Sequence, residues 1–197
     1  MKRLPVDKIT DLSEVVTVLK DGGVIAYPTD TIYGLGCSIF SPAGIERIIA
    51  IKGRSEKQPL SILVNYIEEI ERYAIYSEAN LRILRKHLPG PYTFILKASP
   101  TIPRNIRGKG DSVGIRVVDS RISTEMADLL GEAIVTTSIN RSGEPPLGNP
   151  DEIADVFGPE IDLLLDAGII SGKPSTIVDL TGEEPKIIRQ GKGIFTP

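Results

Sequence analysis

The sequence predicts one α/β domain built on a twisted, open, mixed sheet with flanking helices. Three observations predict it. Strand and helix signals alternate through the first half of the chain. The second half is richer in short β-like runs joined by long loops. No internal repeat, low-complexity tract or linker divides the 197 residues, so residues 1–197 read as one unit with a core from about 10 to 194.

The elements follow in order. Asp11 with Glu14 resembles a capping box ahead of Val15, Val16, Val18 and Leu19, a helix that stops at Gly22-Gly23. Val24 to Tyr27 is a buried strand, and Pro28 to Gly36 a polar turn. Ser41-Pro42 caps a second helix carrying Ile45, Ile48, Ile49 and Lys52, ended by Gly53. Ser61 to Val64 is strand-like, Ile67 to Tyr73 and Ser77 to Leu88 are helical, and Pro89-Gly90-Pro91 stops the latter. Tyr92 to Ala98 and Ser112 to Val118 are strands, Ile122 to Leu130 a helix, and Ala133 to Thr137 a strand. Pro150 to Phe157 is a short helix; Leu163 to Asp166, Thr176 to Leu180 and Lys186 to Arg189 are strands.

Composition narrows the function classes. Apolar residues make 41% and charged residues 25%, the balance of a soluble globular protein. No apolar run is long enough to span a bilayer, and residues 1–10 lack the apolar core of a signal peptide, so the expectation is a cytoplasmic protein without a membrane partner. The single Cys37 cannot form an internal disulfide. With only His87 as its possible base, far off in sequence, Cys37 is a poor nucleophile, and zinc sites of the usual kind are excluded. His87 reads as a surface residue at a helix end. Net charge is −3 but unevenly spread: Arg82 to Arg116 holds eight Lys or Arg and one acid, while Asp151 to Glu184 holds nine acids and one Lys. These are either two ordinary solvated faces or include a basic concavity for phosphates or RNA.

Several turns share one chemistry: Thr29-Asp30-Thr31, Lys52-Gly53-Arg54, Thr136-Thr137-Ser138-Ile139-Asn140, Pro174-Ser175-Thr176 and Ile188-Arg189-Gln190-Gly191. Hydroxyls and amides give directional hydrogen bonds, and Lys and Arg give charge for phosphate or carboxylate. Neither standard nucleotide fingerprint is present; Gly34-Leu35-Gly36 lacks the third glycine of the dinucleotide pattern.

Taken in order, Tyr27 to Gly36, Lys52-Gly53-Arg54 with Pro59-Leu60, Pro89 to Thr93, Gly114-Ile115-Arg116, Thr136 to Asn140 with Ser142-Gly143, Ser175 to Asp179 and Arg189-Gln190-Gly191 resemble the YrdC-like family of threonylcarbamoyl-AMP synthases. The resemblance spans nearly the whole chain, and it is to the short form, without an extra C-terminal domain. It implies a nucleotidyltransferase that joins L-threonine, bicarbonate and ATP, releases pyrophosphate and feeds threonylcarbamoyladenosine formation in tRNA. It also implies a concave, positive sheet face and partner proteins of tRNA modification.

By the same resemblance Thr31, Arg116, Thr136 and Ser175 hold threonine, with Arg116 on its carboxylate and Leu63 lining the pocket. Arg54, Ser112, Ser138 and Arg189 contact ATP, with Gln58, Asn140 and Pro146 in the same site. Lys52 and Lys57 are phosphate ligands or electrostatic support, and Asp30 and Asn140 shape their turns. Mg2+ is expected with ATP, without a dedicated protein cage, and no catalytic residue is distinct from those that position substrate. Departures from the family pattern are Gln58 for a common Asn, Thr136 for Ser, Ile139 for Ala, which adds bulk beside the nucleotide, and Val118 where Pro often follows Gly-Ile-Arg. The rival readings are an RNA-binding module of the same fold without synthase activity and a related carbamoyl-phosphate chemistry; few aromatics are present for base stacking.

Overall fold

The computed structural model describes residues 1–53 and 60–197. In chain order its elements are β1 (Lys2–Pro5), α1 (Ser13–Lys20), β2 (Ile25–Pro28), β3 (Tyr33–Ser38), α2 (Pro42–Lys52) and β4 (Ser61–Leu63). Then come α3 (Ile70–Tyr73), β5 (Ala74–Ile75), α4 (Glu78–His87), β6 (Tyr92–Ala98), β7 (Ser112–Arg116) and α5 (Arg121–Leu130). The chain continues through β8 (Ile134–Ser138), α6 (Pro150–Phe157), β9 (Leu163–Asp166), β10 (Thr176–Asp179) and β11 (Lys186–Arg189). The strands form one sheet in the order β1-β9-β2-β3-β8-β4-β7-β6-β10-β11, with β5 on β6. Parallel and antiparallel ladders mix: β4 runs parallel to β7 and antiparallel to β8. The α/β class and the open mixed sheet are therefore as the sequence predicts.

Three local readings change. Tyr33–Ser38 is a fully buried strand in a hairpin with β2, not part of a polar turn; the turn is confined to residues 29–32. Its two glycines concealed the strand signal. The edge strand β1 and the two-residue β5 carry too little periodicity to announce themselves. Leu12, not Asp11, is the N-cap of the first helix and makes no side-chain cap bond; Asp11, one residue earlier, accepts from the Ser13 amide at 2.8 Å, and Glu14 does not close a box but pairs with Lys2.

Two apolar clusters sandwich the sheet. On one face α2, α4 and α6 bury Ile45, Ile48, Ile51, Leu84, Ile153 and Phe157 against β3, β7 and β6. On the other, α1 and α5 pack Val15, Leu19, Met126 and Leu130 over Ile25, Tyr27, Leu63 and Ile134. Each such side chain contributes about 1.5–3 kcal/mol when fully buried. Cys37 and Ile139 lie in the first cluster, completely covered. The extra bulk of Ile139 thus enters the core instead of lying beside a nucleotide. His87 ends α4 half-buried, its ring between Tyr92 and Phe195.

The second face is only partly covered. Residues paired across strands share a face, because side chains alternate. Gly36, Thr136, Ser61, Gly114 and Ile95 make one row across β3, β8, β4, β7 and β6. Leu63 lies beside Arg116 in the next row, and Thr93, Ile177 and Arg189 continue the same face on β6, β10 and β11. Small and hydroxyl side chains beyond the reach of α1 and α5 leave a hollow there.

Of the two glycines in this row, Gly36 shows why a side chain is excluded. A Cβ on Gly36 would meet Val135 O, Ile134 Cγ2 and Tyr27 Cε1, each at 2.9 Å. We expect Gly36→Ala to destabilise the fold by about 1–3 kcal/mol through overpacking. Urea unfolding checks this, and an unchanged midpoint would contradict the packing described.

Candidate active site

The hollow is a cleft of about 650 Å3, open mouth included, floored by Ser61, Thr136 and Ser138 and walled by Thr31, Arg116, Ser175 and Arg189. The residues arrive from several separate elements. Thr31 sits in the β2–β3 turn, Arg116 at the end of β7, Thr136 and Ser138 on β8, Ser175 just before β10, and Arg189 at the end of β11.

The anchor is a buried ion pair. Arg116 Nη2 donates to Asp30 Oδ1 at 2.9 Å and to Thr31 Oγ1 at 3.2 Å, with the Arg116 and Asp30 side chains 10% and 7% exposed. Asp30 Oδ2 and Arg116 Nε are buried without partners. The guanidinium, with five N–H groups, therefore keeps donor capacity beyond the pair. Burial pulls the Arg116 pKa down, against the opposing pull of Asp30. Across the cleft, Arg189 donates to Ser175 O at 2.9 Å and to Ser175 Oγ at 3.3 Å, and Ser175 Oγ meets Thr93 Oγ1 at 2.8 Å. Burial, then the like charge of Arg116, lowers the Arg189 pKa. Two guanidiniums against one carboxylate make this end of the cleft a place for an anion.

The turn after β8 is built from below. Lys52 is 0% exposed, and its ammonium donates to Ser138 O at 2.7 Å and Asn140 Oδ1 at 2.5 Å. Asn140 Oδ1 also accepts from Ser138 Oγ, while its amide donates to Arg141 O and Glu144 O. Lys52 and Asn140 thus shape the turn that presents Ser138, as the sequence suggests for Asn140; of the two roles expected for Lys52, phosphate ligand or electrostatic support, its burial and these bonds fit the second. Leu63 is corrected: it packs in the apolar cluster with Ile134 and Val118, behind Arg116, and does not line the cleft. Ser112 shares the cleft face but sits four residues up β7 from Arg116, donating to Lys109 O. Pro146 lies half-buried in the loop before α6, away from the cleft lining. Arg54, Lys57 and Gln58 lie outside the described residues.

Sequence reasoning missed Ser61, Thr93 and Ile177 as lining residues, since strand interiors give no local cue to which face is left bare. It also gave Asp30 a turn-shaping role alone, although the acid sits beside two threonines, a local sign of a polar constellation. Cys37, pushed up to about 12 by burial, stays a thiol in the core. Among the described residues no group of three or more His, Cys, Asp or Glu side chains gathers to hold a metal ion, and no helix is long and apolar enough to cross a membrane.

This sheet, with a hydroxyl-lined cleft carrying two arginines, is that of a known family. The Sua5/YciO/YrdC family model, described as "telomere recombination", matches residues 17–191, and the chain belongs to that family. Among its relatives, Escherichia coli YciO is 32% identical over 188 residues, covering 94% of this chain and 91% of YciO. A Haemophilus influenzae protein is 34% identical over 189 residues, covering 94% of this chain and 91% of its own length. The crystal structure of E. coli YciO superposes with a TM-score of 0.88 over 92% of this chain and 89% of YciO. That of P. abyssi Sua5 complexed with L-threonine superposes at 0.85 with 31% identity, over 90% of this chain and 53% of Sua5.

Removing one member of a buried pair leaves an uncompensated charge. We expect Asp30→Asn to cost about 3 kcal/mol in urea unfolding, in the range for breaking such pairs. A change no larger than that of a surface substitution would show that Arg116 does not depend on Asp30.

Proposed function

We propose that the chain is an L-threonylcarbamoyladenylate synthase, using L-threonine, bicarbonate and MgATP. The observation that carries this reading is the convergence of Thr31, Arg116, Thr136, Ser138, Ser175 and Arg189 on one cleft, brought from five places in the sequence. The likeness to a Sua5 structure complexed with L-threonine supports the amino-acid half.

In this reading Arg116 takes the threonine carboxylate on its spare N–H groups, and Thr31, Thr136 and Ser175 surround the remainder of the amino acid. Arg189 and Ser138 face the nucleotide. The neutral amine adds to the carbon of bicarbonate and water leaves, giving an N-carboxylate. A carbamate oxygen then bonds to the α-phosphorus of ATP as the bond to the pyrophosphate oxygen breaks. The protein's part is to hold the reactants in line and to offset growing negative charge with guanidinium and hydroxyl donors. Mg2+ enters on the triphosphate as part of the substrate. The adenylate would pass to the proteins that modify tRNA. In the RNA-binding alternative the same cleft serves phosphates without chemistry.

The test is pyrophosphate release from ATP and bicarbonate with and without L-threonine. Threonine-dependent release is the expected result, and its absence in every buffer rules the reading out. Arg116→Ala is expected to raise the threonine KM at least about tenfold, the loss of a charge-assisted hydrogen bond. Arg189→Ala should act mainly on the ATP KM. Indifference of both constants to both variants would mean that the cleft is misassigned.

A further inference from the structure

Tyr27 is fully buried under the cleft floor and has no part in the proposed chemistry. Its ring lies against Gly34 and Gly36, where an added Cβ would come within 3.1 and 2.9 Å of ring carbons, so both glycines make room for it. Its hydroxyl reaches Thr136 Oγ1 at 2.6 Å, across 109 residues of sequence. A phenol has one hydrogen to donate, and in a buried site that hydrogen needs an acceptor. Thr136 Oγ1 is the partner the structure supplies among the described residues. Burial, the largest effect on this phenol, raises its pKa to about 12, which keeps the hydrogen in place. The phenol therefore donates, and the hydrogen of Thr136 is left for the cleft.

Thr31 is held differently. Thr29 Oγ1 donates to Ile32 O at 2.6 Å and accepts from the Thr31 and Ile32 amides at 3.2 and 3.3 Å, so its hydrogen and both lone pairs are engaged, and its 3.0 Å approach to Thr31 Oγ1 does not fix where the Thr31 hydrogen points. Thr31 Oγ1 accepts from Arg116 Nη2 at 3.2 Å. The two cleft threonines are thus not interchangeable: a buried phenol fixes the direction of Thr136, and the Thr29 hydroxyl does not do the same for Thr31.

We propose that Tyr27 is a positioning residue that fixes the Thr136 hydroxyl as a donor to an anionic oxygen of the ligand, a carboxylate or carbamate. The identity of the ligand as an amino acid rests on the function proposed above; the direction of the Thr136 hydroxyl does not.

The experiment uses Tyr27→Phe, which keeps the ring and removes the hydroxyl, with Thr136→Val and the double variant. Thermal unfolding without ligand comes first. Thr136→Val strands the phenol hydrogen and lowers Tm, and the double variant is expected to regain most of that loss, because replacing both partners removes the stranded group. Strictly additive shifts in Tm would overturn the pairing. Calorimetry with L-threonine and separately with MgATP follows. Tyr27→Phe should weaken threonine binding about fivefold, the worth of one hydrogen bond, and leave MgATP binding unchanged. Equal weakening of both, or of neither, would overturn the positioning role. Wild-type protein that binds no L-threonine would end the function proposed above, whereas the ligand-free cycle still decides for or against the Tyr27–Thr136 pair.

Discussion

The bond from Arg116 to Asp30 joins the end of β7 to the β2–β3 turn. In the sheet β8 and β4 lie between β3 and β7, so a flat arrangement would separate these places by about 14 Å, three strand spacings. The contact is possible because the sheet curls. The same curl brings Lys192, just beyond β11, onto the Asp30 carbonyl from still farther along the strand order. The hollow is what remains inside that curl after α1 and α5 have filled their half of the face. A buried ion pair is an expensive fastener when its members have already lost water, and here both keep an unpartnered atom. Its geometry makes sense for a site whose arginine must also serve a second anion.

Around this pair, the polar groups divide into those that touch the hollow and those that aim them. Lys52 and Asn140 hold the Ser138 turn from beneath, and Thr93 meets Ser175 from the neighbouring strand. The buried cation is thereby absorbed into structure. Positive charge toward the hollow comes from guanidiniums, which remain charged when covered far more readily than an ammonium does.

Much of this was legible in the sequence because turn chemistry is local. Ser41-Pro42 and Gly53 bracket α2 as written, with Ser41 accepting from the Gly44 amide and Gly53 left-handed at φ 59°. The hydroxyl and arginine turns were likewise visible as composition, and most of them do meet. What stayed hidden depends on the sheet. Leu63 and Ile139 look like site residues from their neighbours, but strand alternation and packing turn them into core. Ser61 and Thr93 look like ordinary strand residues, yet register sets them on the bare face. Lys52 reads as a free cation at a helix end until the turn after β8 closes over it.

The segment following β11 has a consequence for how the molecule comes into being. Gly191 lies so close to the Pro174 and Ser175 backbone that no side chain fits, and Lys192 meets Asp30 across 162 residues of sequence. One wall of the hollow therefore waits on residues translated long after the other. A nascent chain on the ribosome would hold its hairpin and central strands well before it had a complete chamber. Maturation of the chamber is consequently a late, long-range event of the slow kind that loop-closure entropy imposes.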